Sequence, residues 1–222
     1  MTKPKLERVL MNIKLYYAPI TCAMVSYVAL TEAGADFETI PLNFRKAEHL
    51  GEEYLAINPK HKVPLLTVDG EKISENLAIV TWIDAQFPES QLLPSNPWDR
   101  AQAYSIHGWC SGGIHPYLRQ INNPAKVVDV AEAADGIVTN SAAAIYESFT
   151  IANDMLNGRD WFFDHFIPAD MHFFWCYRRA KQFELDLERF DHCQAHFDRV
   201  SERPSVVKVL ELEKSVQAKF AS

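Results

Sequence analysis

The chain has 222 residues, with 22 Lys and Arg against 29 Asp and Glu, which gives a net charge of −7. Hydrophobic residues make up 48%, the balance of an ordinary globular protein rather than of a disordered one. The acidic charge argues against nucleic-acid binding, which needs a basic surface. The sequence shows no apolar run of membrane-helix length, no signal-peptide core and no glycine-rich phosphate loop. We therefore expect a cytoplasmic protein without a nucleic-acid or membrane partner.

The first half of the chain alternates between strand and helix patterns. Asp69-Gly70 is a dipeptide typical of tight hairpins, and Gly34 is placed to end a helix. The predicted elements are, in chain order, a strand at 13–18, a helix at 22–34, a strand at 36–42, a hairpin at 63–74 and a helix at 75–87. This order predicts a mixed sheet covered by helices.

The second half contains only helical patterns. Apolar residues recur every three or four positions from Val127 to Leu156, which predicts one long amphipathic helix closed by Gly158. Further helices are predicted at 168–187 and 204–217, each with a proline in or near its first turn. The predicted organisation is an N-terminal extension at 1–11, a sheet domain at 12–92, a linker at 93–98 and an all-helical domain at 99–218.

Two residues at the start of the first predicted helix could carry thiol chemistry. Cys22 would lie at a helix N-terminus, where the dipole and free amides favour a thiolate and lower the pKa. Thr21 could donate a hydroxyl hydrogen bond to a sulfur atom. Alternatively, Cys22 is a small residue of the helix start and Thr21 is its N-cap. Position alone leaves both alternatives open.

A second group of candidates surrounds the predicted hairpin. If the Val63-Pro64 bond is cis, the backbone groups of Val63 turn outward and can pair with a peptide-like ligand; a trans proline at an edge strand is the alternative. Glu75 and Asn76 open the next helix, where an ammonium and a carboxylate could bind. The alternative is an acidic residue that complements the helix dipole.

His192 and His196 lie one helical turn apart. Two histidines on one face can bind a metal, but no third ligand and no HExxH glutamate accompany them. We expect a solvated helix face there and no metal. A dense aromatic cluster is expected in the core, with one edge that could line an apolar pocket. Its members are Trp161, Phe162, Phe163, Phe166, Phe173, Phe174 and Trp175.

These motifs occur together, in order, in one known family. The segments IKLYYAPITCAMVSYVALTEAG, INPKHKVPLLTVDGEKISENLAIVTWI, SGGIHPYL and FIPADMHFFW resemble the glutathione S-transferase family, and the bacterial types, of which the beta class is one, are the most similar. The resemblance runs from about Ile13 to about Val216. It implies an α/β thioredoxin-like domain with a mixed four-stranded sheet, followed by an all-α domain. It also implies a homodimeric enzyme of detoxification that conjugates glutathione, its co-substrate, to a small hydrophobic electrophile.

The resemblance also implies roles for individual residues. Val63, before a cis Pro64, would pair with the cysteinyl part of glutathione. Glu75 and Asn76 would hold the γ-glutamyl end, although Asn76 stands where the family usually has Ser. Further implied glutathione contacts are Lys46, Lys62 and His115. The residues implied to line the electrophile cleft are His115, Tyr117, Phe173 and Phe174.

The catalytic group differs within the family, whose members use Tyr, Ser or Cys near the end of the first strand. Cys22 falls on the beta-class cysteine, although Ala23 replaces the serine that follows it there. Thr21 is the second candidate. One alternative function is a thiol-disulfide oxidoreductase in which Cys22 forms a mixed disulfide with glutathione. A further alternative is a non-catalytic scaffold with the same fold.

Asp170 keeps the position of a family aspartate before the core helix, but Ile167 replaces the usual Ser or Thr cap. The loss of a cap costs about 1 kcal/mol, which Pro168 in the first turn offsets in part. We expect Asp170 to accept hydrogen bonds from backbone amides around 167–168.

Overall fold

The computed structural model describes residues 11–221. Of the predicted N-terminal extension, all but Met11 lies outside the described residues. The strands are β1 (Ile13–Tyr17), β2 (Glu38–Pro41), β3 (Leu65–Val68) and β4 (Glu71–Ser74). The helices are α1 (Ala23–Glu32), α2 (Glu52–Ile57), α3 (Asn76–Gln86), α4 (Pro97–Trp109), α5 (His115–Asn122), α6 (Ala134–Met155), α7 (Pro168–Gln182), α8 (Asp191–Ser201) and α9 (Pro204–Ala221).

The four strands form one mixed sheet in the order β2-β1-β3-β4. The central strand β1 is parallel to β2 and antiparallel to β3, and the β3–β4 hairpin turns at Asp69-Gly70. Leu15 and Leu66 lie opposite each other and are fully buried. The N-terminal part therefore has the predicted thioredoxin-like sheet, and the part that follows is helical.

Helix α1 is apolar on every side, which is typical of a helix with no solvent-facing surface. All residues from Ala23 to Leu30 are buried. The sheet and α3 pack against it from the N-terminal part, and α7 and α9 pack against it from the helical part. Gly34, with a φ of +62°, follows its end. The residues just before α1 consequently lie where the two parts of the chain meet.

The long helix predicted from Val127 to Leu156 is shorter than expected, because α6 begins only at Ala134. Short 3-10 turns precede it at 124–126 and 131–133. Val127 and Val130 match the helical spacing, but they are 49% and 56% exposed. They therefore cover no core surface that would stabilise a further helical turn.

Other helix boundaries also differ from the prediction, and α9 continues to Ala221, four residues beyond the predicted end. Helix α7 ends at Gln182, five residues early, because Glu184 adopts a φ of +57° and the Leu185 amide bonds back to the Ala180 carbonyl. Helix α4 begins at Pro97, within the predicted linker, because the Asn96 side chain accepts hydrogen bonds from the next amides and caps it.

Asp170 organises the start of α7 from a fully buried position. Its Oδ2 accepts a hydrogen bond from the Ile167 amide at 2.9 Å, as predicted, and its Oδ1 accepts one from the Phe162 amide at 3.0 Å. His196 Nε2 lies 2.9 Å from the same Oδ1. The prediction of a solvated face was wrong for His196, which is buried against Asp170 and neighbouring aromatic rings.

Candidate functional site

The loop between β1 and α1 contains the two predicted catalytic residues. The Thr21 hydroxyl donates to the Ala18 carbonyl at 2.7 Å, and its oxygen accepts from the Ala23 amide at 3.4 Å. The hydroxyl proton of Thr21 is therefore used inside the loop. Thr21 thus accepts from the first amide of α1, as a capping side chain does, although Cys22 occupies the N-cap position itself.

Cys22 lies partly exposed directly before α1, and its Sγ is 4.0 Å from the Val63 carbonyl oxygen. Burial raises the pKa of this thiol from 9.0 to about 12, although the Asn76 side chain opposes the shift. The prediction of a lowered pKa was wrong, because desolvation outweighs the helix N-terminus. At neutral pH, Cys22 is a neutral thiol that can donate its S–H.

The Val63-Pro64 peptide bond is cis, as one of the two alternatives predicted. The preceding Lys62 carbonyl accepts hydrogen bonds from the Tyr54 hydroxyl at 2.6 Å and from Asn58 Nδ2 at 2.7 Å. The Lys62–Val63 peptide is planar and trans, so the Val63 N–H points away from these two side chains. Tyr54 and Asn58 were not predicted as site residues, although Asn58 belongs to the segment INPKHKVP.

Glu75 has a φ of +76°, which is unusual for a residue with a side chain and is a form of strain found at functional sites. Its carboxylate is 69% exposed and pairs with Lys60 Nζ at 2.9 Å. Lys60 also donates to the Ser74 hydroxyl at 2.9 Å. No sequence pattern identifies Lys60 as part of the site, because its partner is fifteen residues away. The Glu75 carboxylate can accept from an ammonium, with Lys60 beside it.

Asn76 connects the start of α3 to the start of α1. Its Nδ2 donates to the Cys22 carbonyl at 3.0 Å, and its Oδ1 accepts from the Ser26 hydroxyl at 2.7 Å. The Asn76 side chain is thus used within the protein rather than offered to a ligand. Its backbone N–H, at the first position of α3, has no acceptor within the helix and can bind a carboxylate.

The charges around Cys22 show which predicted residues come together. The charge of Glu75 raises the pKa of Cys22, and the charge of Lys62 lowers it. Lys62 also lowers the pKa of His115, so this lysine lies near both parts of the site. Lys46 is exposed in the turn at 44–46, where its backbone amide donates to Asn43 and its ammonium has no polar partner among the described residues.

His115 begins α5, and its ring packs edge to face on Trp175 with 4.4 Å between centroids. Burial lowers its pKa to about 4, so the ring is neutral at pH 7. Tyr117 is half-buried on the same helix. The expectation that Phe173 and Phe174 line the electrophile cleft needs correction, because both are buried in the helical core.

The stacking partners of these two rings explain their burial. Phe173 packs against Phe149 and Phe162, and Phe174 stacks on Phe197 at 4.8 Å. Two surface grooves of about 420 and 780 Å³ are lined by residues within 91–109 and 151–165. One edge of the predicted aromatic cluster lines them, with Phe162 and Phe163 in the first and Trp161 and Phe163 in the second, but neither groove includes a predicted catalytic or glutathione-binding residue.

Two other features are absent from residues 11–221. Within that range, no group of three or more His, Cys, Asp or Glu could hold a metal ion. The same part of the chain contains no helix of sufficient length and hydropathy to cross a bilayer.

Known proteins of similar sequence and structure support the family resemblance that the sequence motifs indicate. Residues 11–85 match the family described as the N-terminal domain of glutathione S-transferase. The glutathione S-transferase GstA of Escherichia coli O157:H7 is 30% identical over 204 residues, which cover 90% of this chain and 98% of that protein. Two solved structures are also similar. The ternary complex of BphK, a bacterial transferase, has 27% identity and a TM-score of 0.82 over 90% of this chain and 99% of its own. A sphingomonad glutathione S-transferase complexed with glutathione has 28% identity and a TM-score of 0.80 over 90% and 98%.

Proposed function

We propose that this chain, which belongs to the glutathione S-transferase family and is a glutathione transferase, uses Cys22 to stabilise the thiolate of bound glutathione. The observation that carries the proposal is the position of the Cys22 thiol, whose Sγ lies 4.0 Å from the carbonyl of Val63, the residue before the cis proline. Burial raises the pKa of this thiol, which keeps it protonated at neutral pH. A neutral S–H can donate a hydrogen bond to an anionic sulfur. Thr21 cannot do so without breaking its bond to Ala18.

Glutathione binding follows from the groups around this thiol. The outward N–H and C=O of Val63 pair with the cysteinyl backbone of the tripeptide in strand fashion. The Glu75 carboxylate binds the γ-glutamyl ammonium, and the Asn76 backbone amide at the start of α3 binds the γ-glutamyl carboxylate. Lys46 and Lys62 bind the glycyl carboxylate. His115 contacts the tripeptide as a neutral ring.

In this complex the glutathione sulfur lies beside the Cys22 S–H and near the charge of Lys62. Both interactions are stronger with the thiolate than with the thiol, so the pKa of the bound glutathione falls. The thiolate then attacks an electrophilic carbon of the second substrate and forms a carbon–sulfur bond. The leaving group departs with the electron pair, or a proton adds to the adjacent atom.

The second substrate is a small hydrophobic electrophile, and we assign it to the face that carries Tyr117 and His115. Tyr117 is half-buried there and offers an aromatic surface. The uncharged His115 ring adds no charge that an apolar substrate would have to desolvate. By analogy with the family, the enzyme acts as a cytoplasmic homodimer in detoxification.

The mixed-disulfide alternative is less well supported. Thiol–disulfide exchange needs Cys22 as a thiolate, and its raised pKa keeps the thiolate scarce at neutral pH. The non-catalytic alternative leaves the strained backbone of Glu75 and the outward Val63 amide without a use.

The proposal is tested by ultraviolet titration of the glutathione thiolate in complexes with wild-type, Cys22→Ala and Thr21→Ala proteins. A hydrogen bond to a charged group contributes about 1.5–3 kcal/mol. The loss of the S–H in Cys22→Ala should therefore raise the pKa of bound glutathione by about 1 to 2 pH units. Thr21→Ala serves as the matched control and should leave this pKa near the wild-type value. A raised pKa in Thr21→Ala, with none in Cys22→Ala, would assign the role to Thr21.

A further inference from the structure

The backbone of Ile20, directly before Thr21 and Cys22, has an unusual conformation. Its φ is +66°, a left-handed value that a β-branched residue avoids because its side chain then crowds the backbone. Such a conformation persists only where the surroundings hold it in place. The groups that hold Ile20 therefore control the loop that carries Cys22.

Both polar backbone groups of Ile20, its N–H and its C=O, are held by the helical half of the chain. The Ile20 N–H donates to Glu213 Oε1 at 2.9 Å, and the Ile20 carbonyl accepts from Trp175 Nε1 at 3.0 Å. Glu213 belongs to α9 and Trp175 to α7. The loop conformation is thus set by residues 155 and 193 positions away in sequence.

Glu213 is itself fixed in place. Its side chain is only 3% exposed, and its Oε2 accepts a hydrogen bond from Arg178 at 2.7 Å. Arg178 also lies 3.7 Å from the Met24 sulfur on α1. A buried carboxylate that is bonded through both oxygens, to Ile20 and to Arg178, has little freedom to move. It is a rigid support for the Ile20 amide.

Trp175 connects the same loop to a second part of the site. Its indole N–H binds Ile20, while its ring packs against His115. One side chain thereby fixes the distance between the Cys22 loop and the start of α5.

We propose that Glu213 and Trp175 are positioning residues that hold the backbone of Ile20 in its left-handed conformation and thereby set the position of the Cys22 thiol against bound glutathione. Neither residue touches the substrate. The inference rests on the proposed role of Cys22 and adds the device that places it.

The test compares Glu213→Ala, Glu213→Gln and Trp175→Phe with the wild-type enzyme, with glutathione and chlorodinitrobenzene as substrates. Misplacement of a catalytic group by about 1 Å lowers the rate by up to about 100-fold, so we expect kcat to fall about 10-fold to 100-fold in Glu213→Ala. The bound glutathione thiol should titrate at higher pH in the same variant. Glutathione affinity should change less than about threefold, because Val63 and Glu75 lie outside the loop.

Two variants separate positioning from general destabilisation. Glu213→Gln keeps an oxygen that can accept from Ile20, so it should recover part of the lost kcat. Trp175→Phe keeps the aromatic ring but removes the donor, and it provides the test if Glu213→Ala does not fold. The matched control is Val209→Ala, a buried change on α9 one turn before Glu213, which should leave kcat and the thiol titration unchanged.

A double-mutant cycle with Ile20→Gly tests the strain directly. Glycine adopts a positive φ without steric cost, so the loop then needs less support. The effect of Glu213→Ala on kcat should therefore be smaller in the Ile20→Gly background than in the wild type. Additive effects would show that Glu213 does not act through the Ile20 conformation.

A readout that does not depend on turnover separates this inference from the proposed function. The Ile20 amide should exchange its hydrogen slowly in the wild type and at least about tenfold faster in Glu213→Ala, but not in Val209→Ala. Unchanged exchange, or the same kcat loss in Glu213→Ala and Val209→Ala, would overturn the inference. A wild-type enzyme without glutathione turnover but with this exchange pattern would instead refute the proposed function.

Discussion

Replacement of Asp170 by alanine should destabilise the helical part of the protein more than the same replacement of an exposed aspartate. The buried carboxylate accepts from the Phe162 and Ile167 amides and from the His196 ring. Alanine leaves these three donors buried without an acceptor. At about 1–2 kcal/mol for each unsatisfied donor, the loss is about 4 kcal/mol, a large share of the 5–15 kcal/mol that stabilises a typical domain.

Urea unfolding followed by circular dichroism measures this loss as a lower midpoint at constant slope. Asp170→Asn keeps one oxygen and should lose about half as much, while Asp154→Ala, an exposed change on α6, should alter stability by less than about 0.5 kcal/mol. A loss below about 1 kcal/mol in Asp170→Ala would refute the view that this carboxylate organises the start of α7.

Other predictions concern the titrating groups and the link between helices. Because burial raises the pKa of Cys22 to about 12, its alkylation by iodoacetamide should keep accelerating beyond pH 10; a plateau near pH 7 would contradict the raised pKa. The same shift means that unfolding releases a proton from Cys22 above pH 9, so this group's contribution to stability falls as the pH rises from 9 to 12. Because the pKa of His115 is lowered to about 4, this ring should cause no change in glutathione affinity between pH 5 and 8. A change in affinity over this range that disappears in His115→Gln would show that the ring is charged. Asn76→Ala removes the hydrogen bonds to Cys22 and Ser26, so the midpoint of thermal unfolding should fall by about 2–6 °C. Calorimetry measures this change, with Asn157→Ala as the control.

The local features of the fold were predictable from sequence because short-range chemistry decides them. The Asp69-Gly70 turn and the Gly34 helix end depend on residues that accept positive φ. The strands follow from apolar runs bounded by turn residues. The helix predicted to begin at Val127 instead begins at Ala134. Local periodicity predicts a helix even where no neighbouring surface is available to pack against it.

The misjudged features depend on contacts between distant parts of the chain. The pKa of Cys22 was predicted from its helix position, but burial by the surrounding chain decides it. His196 lies 26 residues from its partner Asp170, and nothing in its local pattern identifies that partner. Glu213, on the last helix, had no motif at all. Such residues are found only when the folded chain brings them together.

Glutathione binding measured by calorimetry tests the central claim most directly. We expect the wild-type protein to bind glutathione with a micromolar to millimolar dissociation constant and Glu75→Ala to lose that binding, since the γ-glutamyl ammonium then has no carboxylate partner. Glu71→Ala removes the same charge from an exposed position on β4 and should bind as the wild type does. No binding by the wild type at millimolar glutathione, or equal binding by Glu75→Ala and Glu71→Ala, would contradict the proposed site.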